Sequence, residues 1–366
     1  MNKVIILPFY AKASLLLVGL YVFVYMLFLT KGLLVPLIFS AMFASVLSPV
    51  VEFLVRKKLN RVVAIALTLI VVIAIIAAFS TFLISQVSRF NESWPILVEK
   101  FTELVNQSII WTSNYLDIDT QKIMLWVSET KTEFFNTGSA EIGNTLVFFG
   151  SGVMVLLLIP VYVFMILYYQ PILLEFFRRV FGSKNRSEVS EVIVQVKTVI
   201  QLYLSGLILE VIIVSSLNTA ALLILGIDYA ILLGIVGGIL NLIPYLGGVV
   251  AVALPMMIAF VTKASPWSPF YVLAIYYFIQ LVDNNYIVPK IVASKVRINA
   301  LVSIIVVLAF GALWGIPGMF LSIPLTAIVK LICDRIEPVQ SIGFLLGDSM
   351  PTFPLLTLPT LKNKGP

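Results

Sequence analysis

Residues 229–262 read YAILLGIVGGILNLIPYLGGVVAVALPMMIAFVT, a run of 34 positions without Asp, Glu, Lys or Arg, bounded by Asp228 and Lys263. One straight helix of that length would run about 51 Å, far past a hydrocarbon core of about 30 Å. The breaker cluster NLIPYLGG, residues 241–248, sits at its midpoint, where Pro and paired Gly oppose helix continuation. Each half, about 12 to 15 residues, is too short to cross alone. The run is therefore either a kinked, tilted span or a helical hairpin that enters the bilayer and turns back. Residues 298–329 repeat the situation, charge-free and with WGIPG at 314–318 near the middle.

The rest of the chain fits the same solvent. Of 366 residues, 60% are apolar and only 11% charged, with mean hydropathy +1.08. That is less than half the roughly 25% charge of a soluble domain, so the fold class expected is all-α and polytopic in a membrane. Further charge-free runs cover 13–30, 32–51, 62–88, 142–174 and 264–282, and 198–227 is interrupted only by Glu210. The first is too long for a cleaved leader and is followed at once by a second span. The chain has one cysteine, Cys333, and no histidine. Intrachain disulfides, Cys/His metal clusters and a Ser-His-Asp triad are thereby excluded. No Gly-rich phosphate loop with Lys and Ser/Thr is present, which leaves ATP-driven pumping without its machinery. Nor does Asp283 have a partner aspartate at comparable depth, as an intramembrane protease would need. No enzyme is expected, and no cofactor or metal beyond Na⁺ at Asp283. The basic, aromatic-interleaved patch of a nucleic-acid binder is also missing.

Orientation follows from Lys and Arg in the short loops. Lys3 and Lys12 precede the first span, and Arg56, Lys57, Lys58 and Arg61 stand against Glu52 after the second. Segment 175–197 has five basic and three acidic residues, whereas 86–141 has four basic and eight acidic. The amino end, 52–61 and 175–197 are placed in the cytoplasm, and 86–141 outside. If 229–262 crossed, Lys290, Lys295 and Arg297 would fall outside. If it turns back, a helix over 269–289 carries them inward, and a second hairpin at 298–329 keeps Arg335 and the tail cytoplasmic. The hairpin arrangement obeys the positive-inside rule throughout and is the one expected. It gives about six full spans and two re-entrant hairpins, in five pieces. These are the first three spans (1–85), an external amphipathic helical segment (86–141), a fourth span with a cytoplasmic amphipathic helix (142–197), a transport core (198–332) and a tail (333–366). The external helix is expected to start at Ser93-Trp94-Pro95. The proline-bearing end, 338–366, is expected to be extended or disordered.

Two carboxylates lie inside apparent spans, Glu210 and Asp283, without Lys or Arg in the span interiors. A charge at mid-bilayer costs about 2.5–3.5 kcal/mol on insertion scales. Each must be protonated, meet water or meet a cation, which makes both candidates for a coupling ion. Asp283, Asn284 and Asn285 offer consecutive oxygens, and Pro289 frees a helical carbonyl one turn earlier. A pairing of Asp283 with Lys290 or Arg297 is the competing reading. Asn241, Pro244, Gly247 and Gly248 at the first tip and Gly315, Pro317 and Gly318 at the second complete the candidate binding residues. Broken helices at matching places in inverted repeats mark transporter binding sites. Close helix packing is the plainer role for these glycines.

Three motifs, GGILNLIPYLG at 237–247, DNNYIVPK at 283–290 and GALWGIPG at 311–318 with Pro324, resemble those of the autoinducer-2 exporter family. The resemblance extends over nearly the whole chain. It implies an inner-membrane permease, either an exporter of the autoinducer-2 signal or a Na⁺(Li⁺)/H⁺ antiporter. Where many relatives have a His-Pro pair, this chain has Ile298-Asn299-Ala300, so no histidine can relay protons there. A small-solute exporter is the expected function, with an antiporter and a non-transporting scaffold as alternatives. Expected partners are the lipid bilayer, a small polar solute with or without Na⁺ and H⁺, and further copies of the chain, a pentamer being one arrangement.

Overall fold

A computed structural model describes residues 8–116, 158–180, 186–243, 247–263, 265–292 and 298–348. They form helices α1 (Phe9–Leu29), α2 (Lys31–Arg56), α3 (Arg61–Leu116), α4 (Leu158–Tyr168), α5 (Gln170–Val180), α6 (Arg186–Ile224), α7 (Ala230–Leu240), α8 (Gly247–Thr262), α9 (Ser268–Val282), α10 (Ala300–Cys333) and α11 (Gln340–Leu346). Among the described residues there is no strand. The breaks follow local chemistry. Lys58 takes a left-handed φ of 68° between α2 and α3, and the Asn60 side chain accepts from the Val62 amide at 3.0 Å to start α3. By length and apolarity α1, α2, α10 and residues 61–92 and 189–224 can cross a bilayer. The pair α4 and α5, bent by 66°, makes a sixth if taken as one span. The first half of the expected fourth span lies outside the described residues.

Both broken runs fold sharply. Helices α7 and α8, 11 and 16 residues long, pack against each other on either side of the 241–246 break. A Cβ added at Gly247 would fall on the Leu240 carbonyl, so only glycine allows that approach. In α10, Gly315 has φ 67° and ψ −148°, a conformation open to glycine. A Cβ on Gly318 would fall on the Phe310 carbonyl, and one on Gly311 would lie 2.7 Å from Met319 Cε. Residues eight apart in a straight helix are separated by about 12 Å, so α10 doubles back at Gly315 despite its length. The glycines of α7 do something different. Gly234 and Gly238 lie directly on Thr219 and Ser215, a small-residue seam that gives α6 and α7 the most extensive helix contact among the described residues.

Two sequence expectations change. Pro95 does not begin a helix, because α3 runs unbroken through it to Leu116. Tertiary contacts carry the helix past the proline. Phe90 packs on Trp94 and Tyr229 at ring distances of 5.4 and 5.3 Å, Phe101 meets Phe260, and Leu97 is buried. The rest of the external segment, from 117, lies outside the described residues. The start of the tail is helical where an extended chain was expected. Asn299, which caps α10 through the Val302 amide, also donates to the carbonyls of Leu345 and Gly347, and α11 packs back on α10.

The buried apolar residues form three clusters. One joins α2 to the rest through Met42, Ile200, Tyr203, Leu204, Leu207, Trp314 and Leu321, with Leu242 and Val288 at its edge. The second gathers Leu222, Leu233, Ile258, Val272 and the ring of Tyr276. The third binds α2, α3 and α4 through Ala44, Ile65 and Val163. Helix α1 has no buried residue, as suits a helix at the periphery whose apolar side chains face lipid.

Candidate functional site

Leu207, Glu210, Val214 and Asn218 are all buried, and their spacing of three and four residues is the rhythm of one helical face. That rhythm carries Glu210 of α6 inward among apolar neighbours. Helix α9 ends at Asp283, where the backbone widens into a 10-residue π-helical run, Asp283–Val292. Such runs concentrate at functional sites, and this one lets Pro289 sit mid-helix. Asp283 is 1% exposed and Glu210 5%. Asn241, just past the last turn of α7, donates its Nδ2 to Asp283 Oδ2 at 2.8 Å and to Glu210 Oε1 at 3.2 Å. One amide thus ties the two buried carboxylates to the tip of the first hairpin. Among the described residues, Asp283 Oδ1 has no hydrogen-bond partner and Asp283 makes no ion pair. Lys290 lies over the Tyr286 ring, 6.0 Å from its centroid.

The other candidates divide. Asn284 and Asn285 are exposed, bonded to Gln280 and to the Leu281 carbonyl, so the three consecutive oxygens are not gathered. Consecutive residues of a helix point in different directions around its axis, which grouping them by adjacency ignores. Pro289 is exposed on the π-helical run. Gly247 is buried at the first turn of α8, and Gly248 lies against Gln280 of α9. Gly315 and Pro317 are exposed at the second tip, whereas Gly318 is buried beneath it. Trp314, buried beside them, donates Nε1 to the Leu27 carbonyl at 3.1 Å. The second tip therefore meets α1 and the first apolar cluster, against which Leu242 and Val288, next in sequence to Asn241 and near Asp283, also pack. Pro244 lies outside the described residues.

Three polar residues escaped the reading of the sequence. Ser215, Asn218 and Tyr276 are 9%, 3% and 6% exposed, and Ser215 Oγ, Asn218 Oδ1 and Tyr276 Oη have no hydrogen-bond partner among the described residues. An unmet buried polar group costs about 1–3 kcal/mol, so a cluster of three is unusual in a dry core. Periodicity could have found two of them, since Asn218 stands two turns after Glu210 and Tyr276 two turns before Asp283. A cavity of about 540 Å³ between α2, α4, α5, α6 and α10 is walled by residues such as Ala44, Ile166, Phe177 and Ile332 and contains none of the candidate residues.

A buried acid pair held by a hairpin tip, inside a bundle of apolar helices, suits a cation or a hydroxylated solute. Comparison with known proteins agrees in class. Residues 14–337 match the AI-2E family transporter pattern, and the chain belongs to that family. It is 25% identical to the AI-2 transport protein TqsA of Escherichia coli strain K12 over 328 residues, 86% of this chain and 90% of TqsA. YueF of Bacillus subtilis strain 168, provisionally named a transport protein, is 24% identical over 308 residues, 81% of this chain and 82% of YueF. PerM of Escherichia coli strain K12, provisionally named a permease, is 31% identical over 180 residues, 48% of this chain and 50% of PerM.

Proposed function

We propose that this member of the AI-2E transporter family exports a small polar solute of the autoinducer-2 kind by alternating access. Solute export is coupled to a cation, H⁺ or Na⁺, taken up by Glu210 and Asp283. One observation carries the reading: Asn241 bridges two buried carboxylates that, among the described residues, form no ion pair with any basic side chain. A pair of acids in so dry a setting needs a positive partner or a proton, and a mobile one makes a coupling site. Along α6, Glu210 lies between Leu207 of the first apolar cluster and Leu222 of the second. Along α9 and the π-helical run, Asp283 lies between Val272 and Val288 of the same two clusters. Along their helices, both buried carboxylates therefore lie between the two apolar clusters.

In this mechanism the hairpin-bearing half, 198–332, rocks against the spans of 13–170. The contacts that must slide include Trp314 on Leu27, and Phe39 on Phe320 at 5.5 Å between rings. Lys197 on Glu52, at 3.1 Å, marks the edge of the same boundary. Both hairpins re-enter the inner membrane, and both chain ends lie in the cytoplasm. A second reading, Na⁺(Li⁺)/H⁺ antiport without a solute, is favoured by the same acid pair.

The test is reconstitution into liposomes loaded with autoinducer-2, under imposed Na⁺ or H⁺ gradients. Release of the signal that a gradient accelerates, and that Asp283→Asn abolishes, is the expected result. Cation exchange with no solute release would select the antiporter. Neither flux from correctly folded protein would refute transport altogether.

A further inference from the structure

Among the described residues, the unpartnered polar atoms of Ser215, Asn218 and Tyr276 lie near one another, apart from Arg61 Nε. Gly237 of α7 faces two of their side chains: a Cβ placed there would meet Asn218 Nδ2 at 3.0 Å and Tyr276 Oη at 3.7 Å. Gly238, the next residue, lies on Ser215. Gly237 is one helical turn before Asn241, about 6 Å along α7. Asn218 and Tyr276 stand about 12 and 10 Å from Glu210 and Asp283 along their own helices. All three displacements lead away from the acid pair toward the cluster of Leu222, Ile258 and Val272. The unpartnered groups supply an amide oxygen, a phenol and a serine hydroxyl, with no charge among them.

We propose that Ser215, Asn218 and Tyr276 form a second binding station for the hydroxyl groups of a small neutral solute, between the acid pair and the Leu222 cluster, with Gly237 as its floor. The inference rests on the transport reading above and deepens it. Hydroxyls can both donate to Asn218 Oδ1 and accept from Tyr276 Oη, whereas an anion finds no positive partner in this set. Glycine at 237 lets α7 approach these two polar ends closely, since a methyl there would press on Asn218 Nδ2; the solute's hydroxyls enter between them as the helices part. Packing alone does not account for the three side chains, because Ala, Leu and Phe would fill the same places without orphaned polar atoms.

Two measurements on the reconstituted full chain test the station. In the first, Tyr276→Phe removes only the hydroxyl. Autoinducer-2 release is expected to fall at least tenfold while the thermal unfolding midpoint stays level or rises. Unchanged release would overturn the station, and so would a drop in midpoint matching the lost activity, since that marks a structural hydrogen bond. The second needs no transported substrate. In a Cys333→Ser background, Asn218→Cys is treated with a small hydrophilic methanethiosulfonate, beside Leu222→Cys one turn away in the apolar cluster. Reaction at 218 at least tenfold faster than at 222 is expected for a wetted station. Equal, negligible rates would mean a dry core and overturn it, even if the wild-type protein transports. Labelling at 218 without autoinducer-2 flux would support the station while refuting the proposed solute.

Discussion

Asn241 is the residue on which the arrangement turns, and Asn241→Leu isolates its contribution. Leucine keeps the branched heavy-atom outline, though bulkier, but offers no donor, so both bonds, 2.8 Å to Asp283 and 3.2 Å to Glu210, are lost together. Hydrogen bonds to charged acceptors contribute about 1.5–3 kcal/mol in soluble proteins. Inside bilayers the values are smaller, about 0.6 kcal/mol on average with a maximum near 1.7. The two bonds together should therefore be worth about 1–3 kcal/mol. The loss should be read by reversible unfolding in mixed micelles, with Asp283→Leu and the double variant completing a cycle. A coupling energy of about 1 kcal/mol between positions 241 and 283 is expected, and the single variant should lose gradient-driven release. Asn241→Leu and Asp283→Leu that simply add, with no coupling, would refute the bridge.

The other expectations come from single contacts. Gly247→Ala and Gly318→Ala place a methyl group on the carbonyls of Leu240 and Phe310, which backbone cannot vacate. Both should abolish accumulation of folded protein on size-exclusion chromatography, whereas Gly19→Ala and Gly32→Ala, with open space around them, should behave as wild type. Trp314→Phe removes the bond to the Leu27 carbonyl and should lower stability by about 1 kcal/mol in the same unfolding assay, loosening α1. Asn299→Ala deletes the α10 cap and both bonds to the end of α11, at a cost of about 1–2 kcal/mol, and should speed proteolysis after residue 336.

The two folds at 241–248 and 314–318 were legible because charge-free length and breaker residues are both local properties of the sequence. Glu210 and Asp283 were legible too, since an acid inside an apolar run is conspicuous whatever surrounds it. Their meeting through Asn241 was not, because it depends on where α7 ends relative to α6 and α9. Asn284 and Asn285 were grouped with Asp283 by adjacency, yet the helix turns them outward. Pro95 was read as a local start signal, but packing of Phe90 on Tyr229 and of Phe101 on Phe260 carries the helix through it. Residues 340–346 looked like part of a loose tail because Asn299, which bonds the Leu345 carbonyl, is 46 residues away in the sequence.

Topology decides whether the hairpins turn back within the membrane. Lys263→Cys and Lys290→Cys, each in the Cys333→Ser background, can be labelled in intact cells with a membrane-impermeant maleimide. Re-entrant hairpins predict reaction at 263 from outside, and at 290 only after the membrane is opened. The reverse pattern, 290 reactive from outside and 263 protected, would place 229–262 across the bilayer and contradict the re-entrant fold.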